Sequence, residues 1–499
     1  MRTARLRLSL YADDAAIFLR PVKEEVTKVH EILTTFGAVS GLLTNTTKSA
    51  VYPICCDNID LVEIMEHFRC PVKTFPCTYL GLPLHTRQLR RVDVQPLIDK
   101  VAARLPNWKG KFLNGAGRLT LVRSVLSSVP TYFLTVFTLQ KWAFKQIDKI
   151  RRSFLWKGDT EAGGGHCLVQ WARVKKPKKL GGPGVLDLEM FSRALRLRWL
   201  WYEWTDQERP WHGGQTPVNE VDKQLFRACT KVQVSNGAKA KFWESSWLQN
   251  KAPRDIAPSL YKLAWRKHQT VQEELVNQSW TRGLWRMNSV EEMAEFVRLW
   301  DLVQEVHLTD VEDVITWKFS PDGQYTAKSA YDVQFRGSYC CFQPKRVWSA
   351  HAEPKHRFFM WLLVQEKILT ADKLIERHWP CNPLCSLCRQ VPETAAHLCL
   401  HCPFAQQVWD LVQTWMSGTI KKPTGNMTIV DWWTQEVRLP TKMQQRMWAV
   451  INMYTVWNIW KERHRRTFEA REAQPVVVLH LIKEEVNLRS RACGHPVVT

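Results

Sequence analysis

Cys385-Ser386-Leu387-Cys388 puts two thiols on one tight turn, and His397 and Cys402 follow after eight and then four intervening residues. A Cys-x2-Cys turn aims both sulfurs at one ion, and the second pair closes a tetrahedron. Cys3His is a structural zinc set, and with all four positions filled by protein no site is left for a reacting water. Cys381, Cys399 and His401 lie in the same run and are the alternative ligands. An unfolded chain cannot preform such a site, so zinc binding would add directly to folding free energy.

A second constellation is Tyr11-Ala12-Asp13-Asp14, set between the apolar runs Leu6–Leu10 and Ala15–Leu19. Strand, acidic turn, strand predicts a β-hairpin with two carboxylates at its tip. Adjacent carboxylates suit Mg²⁺, a hard cation that takes oxygen ligands and keeps water. A pair of such ions can activate a hydroxyl and stabilise a leaving phosphate.

The third feature is charge. The 499 residues carry 70 Lys+Arg against 48 Asp+Glu, a net of +22. Between Arg87 and Leu180, 20 basic residues face 5 acidic ones. Such concentration points to a polyanion, bound through its phosphates and therefore without regard to sequence. The candidates are Arg104, Lys109, Lys111, Arg118, Arg123, Arg151, Arg152, Lys175, Lys176, Lys178 and Lys179. A hydrophobic fraction of 45% excludes wholesale disorder. No run approaches the ~18 apolar residues of a membrane span, and no secretory leader opens the chain. An intracellular protein, nuclear or cytoplasmic, with its 14 cysteines reduced, is the expectation.

These groups need elements to hold them. Apolar spacing predicts helices at Val22–Phe36, Leu97–Trp108, Gly117–Ser128, Gln140–Trp156, Phe191–Trp204, Trp348–Ile375, Phe404–Trp415 and Met443–Trp460. Ser320-Pro321-Asp322-Gly323 predicts a hairpin joining Val314–Phe319 to Gln324–Ala327. Gly163-Gly164-Gly165 reads as a loop, and the last thirty residues are weakly patterned. The fold class is α+β. Expected domains are a partial palm at 1–86, a basic helical thumb and connection at 87–204, a Trp-rich and partly helical linker region at 205–310, a zinc-binding domain at 311–420 and a helical tail at 421–499.

Several of these segments together resemble the reverse transcriptases of plant LINE-type (non-LTR) retrotransposons. Tyr11-Ala12-Asp13-Asp14 is similar to their catalytic hairpin. Ser40-Gly41-Leu42, Asn45 and Lys48-Ser49 resemble the next palm motif, and Tyr79-Leu80-Gly81-Leu82-Pro83-Leu84 the primer grip. Trp108-Lys109, Gly117-Arg118, Pro130-Thr131-Tyr132, Phe154-Leu155-Trp156-Lys157-Gly158 and Pro177-Lys178-Lys179-Leu180-Gly181-Gly182 resemble the thumb and connection, with Pro183 where a Leu is usual. The Cys/His run resembles the zinc-binding region that follows the polymerase. Trp457-Asn458-Ile459-Trp460-Lys461-Glu462-Arg463-His464-Arg465-Arg466 resembles the tail motif, with His464 where Asn is usual.

The resemblance implies a third carboxylate and a fingers domain ahead of the hairpin, and ten residues precede Tyr11. The expectation is therefore a retroelement remnant that binds zinc and nucleic acid, with a degenerate Asp13/Asp14 site unable to polymerise DNA alone. Mg²⁺ would enter only if that site were completed. The alternatives are an RNA-directed DNA polymerase complemented by the missing parts, and a non-catalytic zinc-containing interaction protein. No phosphate-cradling Gly-x-x-x-x-Gly-Lys, endonuclease-like region or ribonuclease H domain is evident.

Overall fold

The computed structural model describes residues 8–68, 70–104, 110, 112–159, 167–209, 211–214, 216–435 and 441–492. Lys109, Lys111 and Gly163-Gly164-Gly165 lie outside these. The chain is an α+β protein, helix-rich with three two-stranded antiparallel sheets among the described residues. It divides into two compact units, Met1–Asp99 with Trp199–Pro217, and Lys100–Arg198 with Val218–Thr499.

In the first unit β1 (Leu8–Tyr11) pairs with β2 (Asp14–Ile17), Tyr11 opposite Asp14 and Leu8 opposite Ile17. Ala12 and Asp13 make the turn, with Ala12 at φ 53°. Helix α1 (Lys23–Ser40) follows. Glu24 and Glu25 in its first turn complement the helix dipole, and Gly41 at φ 74° caps its end through a bond to the Gly37 carbonyl. Only Val26 and Gly37 of α1 are buried. A second hairpin pairs β3 (Cys77–Tyr79) with β4 (Leu82–Leu84), and its turn passes through Leu80 and Gly81, both at positive φ.

The larger unit begins with α2 (Gly115–Leu121), which runs on as a π turn over Val122–Leu126. Helix α3 (Lys141–Lys157) buries Phe144, Ile147, Phe154 and Leu155 at helical spacing, and Gly158 at φ 81° ends it. A short α4 (Trp171–Val174), a 3-10 turn at Lys178–Leu180 and α5 (Leu188–Thr205), which crosses the unit boundary, complete the basic segment.

Helix α6 (Glu220–Cys229) leads straight into β5 (Thr230–Gln233), whose partner is β6 (Val314–Trp317). This differs from the hairpin expected around Ser320–Gly323. The turn forms, with the Trp317 N–H bonded to the Gly323 carbonyl at 2.7 Å, but β6 takes its ladder from a strand about eighty residues earlier. Asp313 secures that closure. Its two oxygens accept the N–H groups of Ser235, Gly237, Lys239 and Ala240 at 2.8–3.0 Å. The intervening stretch, expected to be a Trp-rich and partly helical linker region, packs an aromatic core of Phe242, Trp243 and Trp280, all fully buried, beside α7 (Val290–Gln304).

The helix expected over Trp348–Ile375 is three: α8 (Pro344–Trp348), α9 (Pro354–Leu363) and α10 (Ala371–Ile375). Pro354 explains one break, since proline starts a helix and cannot continue one. Then come α11 (Pro403–Trp415), α12 (Ile429–Thr434) and α13 (Lys442–His464). The weakly patterned tail is also helical, α14 (Pro475–Ala492), seated through Val478, Ile482 and Val486 at four-residue spacing. No described helix is long and apolar enough to cross a membrane.

A buried polar cluster joins α9, α13 and α14. His356 is buried, with Nδ1 2.9 Å from a Glu353 oxygen and Nε2 3.7 Å from Glu485. The Tyr454 hydroxyl donates to Glu353, while Lys461 and Asn458 donate to Glu485 at 2.9 Å. Burial alone would push both carboxyls up. The nearby His356 ring and the bond from Tyr454 hold Glu353 down at about 2, and His356 with the bonds from Lys461 and Asn458 does the same for Glu485. A carboxyl lowered from its ordinary ~4.3 stabilises the fold above that value and ceases to do so as pH falls through its folded pKa. The melting temperature should therefore hold steady from neutral pH to about 5 and fall progressively between about 4.5 and 2. Scanning calorimetry of Glu485→Gln beside the unaltered protein should show a shallower acid loss in the variant.

Candidate metal centre

The first two ligands come from a small loop closed on itself. Leu384 pairs with Pro392 as an antiparallel bridge. The Cys385 N–H donates to the Val391 carbonyl at 2.8 Å and the Glu393 N–H to that of Pro383 at 2.8 Å. Arg389, at φ 59°, lets the loop turn back, with its N–H on the Cys385 carbonyl at 2.7 Å. The other two ligands flank a π turn, His397–His401, closed by the Cys402 N–H on the His397 carbonyl. Cys402 then caps α11, whose first residue is proline.

One ligand atom from each of Cys385, Cys388, His397 and Cys402 lies within 4.8 Å of the other three. Cys385 and Cys402 sulfurs are 3.9 Å apart, and Cys388 Sγ is 3.3 Å from His397 Nε2. A tetrahedral ion with Zn–S near 2.3 Å would space its sulfurs about 3.8 Å apart, which the Cys385–Cys402 separation matches. Three sulfurs and one imidazole nitrogen are also the donors such an ion prefers. Cys385 and Cys402 are fully buried.

The electrostatics are those of donors sharing protons. The Cys385 thiol is pushed up to about 12, first by its bond to Cys402 and then by burial. That same bond lowers Cys402, with help from the N–H groups of Ala405 and Phe404 at the start of α11. His397 is raised by its bonds to Cys385 and Cys388, against the opposing effect of burial. The alternative ligands face elsewhere. Cys381 Sγ lies 3.6 Å from the Ala371 carbonyl, His401 Nε2 is 2.9 Å from that of Met427, and buried Cys399 is not in the cluster.

The supports come from the tail. Glu393 closes the cysteine loop and is buried, as is Arg463 of α13, and the two bond at 3.0–3.3 Å. The remaining capacity of Glu393 accepts the Ala371 N–H at 2.9 Å. Arg466 donates to the carbonyl of Leu387, between the two cysteines, at 2.9 Å and is steadied by Glu462. Arg389 pairs with Glu472. Sequence reasoning singled out the tail motif without seeing this role. The signal was there, in charged Glu462 and Arg463 placed just after the mostly apolar Trp448–Trp460 stretch of the same helix.

The other candidate residues are dispersed. Asp13 lies in the exposed turn and Asp14 opens β2; among the described residues neither joins a group of three or more potential ligands. Asn45 accepts the N–H groups of Thr47 and Lys48 at 3.1 Å, an Asx turn. Of the basic set, Arg151 needs correction. It is fully buried, bonded to Asp148, Ser127 and the Leu186 carbonyl, and cannot reach a phosphate. Lys175 bridges Asp148 and Asp187, and Lys179 pairs with Asp332 at 2.7 Å. Arg104 and Arg152 are exposed, Lys176 is half-buried, and Arg118 and Arg123 are partly desolvated. Arg152 lines a cleft of about 550 Å³ with Trp171, Arg173, Lys367 and Arg377, and no described carboxylate lines it.

Residues 325–409 match the family described as zinc-binding in reverse transcriptase, and all four ligands fall inside that span. The chain is also 23% identical over 430 residues to an Arabidopsis thaliana protein provisionally named a ribonuclease H protein. That alignment takes in 77% of this chain and 65% of the relative, so the chain spans less than two thirds of the relative's length. Residues 325–409 are thus similar to the zinc-binding region of reverse transcriptases and contain a Cys/His cluster able to hold a metal ion.

Removing Arg463 would leave Glu393 as an unpaired buried charge, which costs about 3–5 kcal/mol. Arg463→Ala should lose roughly that much in the chemical denaturation of its larger unit, followed by tryptophan fluorescence. An unchanged midpoint would show that Glu393 does not depend on it.

Proposed function

We propose that this chain derives from the polyprotein of a LINE-type (non-LTR) retroelement, holds one structural Zn²⁺ and binds RNA or DNA through the phosphate backbone. The observation that carries the reading is the convergence of Cys385, Cys388, His397 and Cys402 within the stretch similar to reverse-transcriptase zinc-binding domains. Zinc bound there would supply cross-linking rather than chemistry. Cys385 and Cys388 would tie down the loop, His397 the π turn and Cys402 the start of α11. The four protein donors complete the tetrahedron, so no reactive position is implied. The palm-like, grip-like and thumb-like motifs support the LINE assignment. The basic segment, the cationic cleft beside Arg152 and the likeness to a protein named for ribonuclease H support a nucleic-acid partner.

Asp13 and Asp14 supply two carboxylates to an exposed turn that no third described ligand joins. The described residues therefore do not assemble a two-metal polymerase site by themselves. The competing reading, a polymerase completed by further polypeptide, draws on the β1–β2 hairpin, which has the form that chemistry uses. Primer extension with magnesium separates the two readings. Synthesis by the chain alone that is lost in Asp13→Ala would overturn the first.

Elemental analysis should find about one zinc per chain, and Cys388→Ser should lose most of it together with a marked drop in melting temperature. Metal-free protein with the same melting temperature as zinc-loaded protein would refute the assignment. For the partner, filter binding should give similar affinities for unrelated sequences and fall steeply with salt, by orders of magnitude between about 50 and 200 mM if six or more phosphates are contacted. Binding that ignores salt would count against a backbone contact.

A further inference from the structure

Four cations converge in the larger unit, and among the described residues no acid balances them. Arg123 stands on the π turn that extends α2, Lys178 on the 3-10 turn, Arg357 on α9 and Arg489 on α14. Gly184, at φ 82°, lets the first two approach. A Cβ there would lie 3.1 Å from Lys178 Cγ and 3.7 Å from Arg123 Nε. Trp348 links the next pair: Lys178 Nζ is 5.8 Å from its ring centroid, and Arg357 donates to its carbonyl at 3.3 Å. Arg489 donates to the carbonyl of His351, three residues on, at 2.8 Å. Bonds to neutral carbonyls orient these guanidiniums and leave their charge intact.

None of the four is within ion-pair reach of a described carboxylate. Glu353 attracts Arg357 from a distance but is already engaged by His356 and Tyr454. Burial lowers Lys178, and repulsion from Arg123 and Arg357 adds to it. Arg357 is likewise lowered by burial and by Arg489 and Arg123. Converging like charges from four separate elements is costly unless an anion is the intended occupant. Three of the four are arginines, whose planar fork matches phosphate oxygens.

We propose that Arg123, Lys178, Arg357 and Arg489 form a binding site for a backbone phosphate of a nucleic-acid strand, a proposal that rests on the nucleic-acid reading above. A polymer is favoured over a lone anion because a second cationic site lies close along the chain. Arg173 and Arg152 line the cleft, and Arg173 precedes Lys178 by five residues. A chain of regularly spaced phosphates can occupy both.

Fluorescence anisotropy with a labelled RNA of about 20 nucleotides, and the DNA of the same sequence, tests this across about 50–200 mM KCl. The double variant Lys178→Gln with Arg357→Gln should bind about tenfold or more weakly and lose about two from the slope of log affinity against log salt. Arg123→Gln alone, the mildest change to packing, should lose about one. Lys262→Gln, on an exposed position elsewhere, should change nothing. Circular dichroism and zinc content identify any variant that misfolds, and Arg123→Gln then decides. Binding by the unaltered protein that all these variants match would overturn the cluster and leave the nucleic-acid reading intact. Failure of the unaltered protein to bind either strand at about 50 mM salt would overturn both. A melting temperature raised by inorganic phosphate in the unaltered protein but not in the double variant, with equal oligonucleotide affinity, would make this a free-anion site and overturn the backbone assignment.

Discussion

A metal cluster is only as well formed as the backbone that carries its donors, and here that backbone hangs on the ion pair between Glu393 and Arg463. Both groups are buried. Separating them would strand a charge in a poorly solvating interior, which is far dearer than the pair itself is favourable. The pair therefore acts as a constraint. It sets the cysteine loop against α13, and Arg466 repeats the tie one turn later at the Leu387 carbonyl. The region similar to reverse-transcriptase zinc-binding domains ends at residue 409, yet its loop is held by a helix some fifty residues beyond. The domain and the tail work as one mechanical piece.

The same economy runs through the larger unit, where buried charges are met by partners from distant segments. Arg151 is satisfied by Asp148, Ser127 and Leu186, and Asp313 by four backbone N–H groups. Against that background the four cations around Trp348 stand out, because nothing in the described chain answers them. Arg151 and Arg463 are paired with acids; those four are oriented but not neutralised.

Legibility in the sequence followed range. The Cys/His cluster could be read because its four donors lie within eighteen residues and their spacing reflects coordination geometry. Helix α3 could be read from its apolar period, and the β1–β2 hairpin from the two apolar runs that flank its acidic turn. Burial of Arg151 could not be read, since its partners lie up to thirty-five residues away. Nor could the pairing of β6, because a strand edge carries no mark of its partner and the nearby Gly323 turn offered a more local one. Helix α14 was obscured by its polar flanks, although Val478, Ile482 and Val486 make a narrow apolar stripe. Glu393 carries no local mark of its burial, since its partner Arg463 lies seventy residues on.

The β5–β6 ladder has one more implication. By joining Thr230–Gln233 to Val314–Trp317, it sets the two ends of an eighty-residue excursion side by side. A detour whose entrance and exit touch can grow or shrink at little extra entropy, because closing a loop costs only about 0.6 kcal/mol more each time its length doubles. Evolution is therefore free to remodel this aromatic-cored excursion, by insertion or trimming, while the half downstream that carries the Cys/His cluster keeps its register.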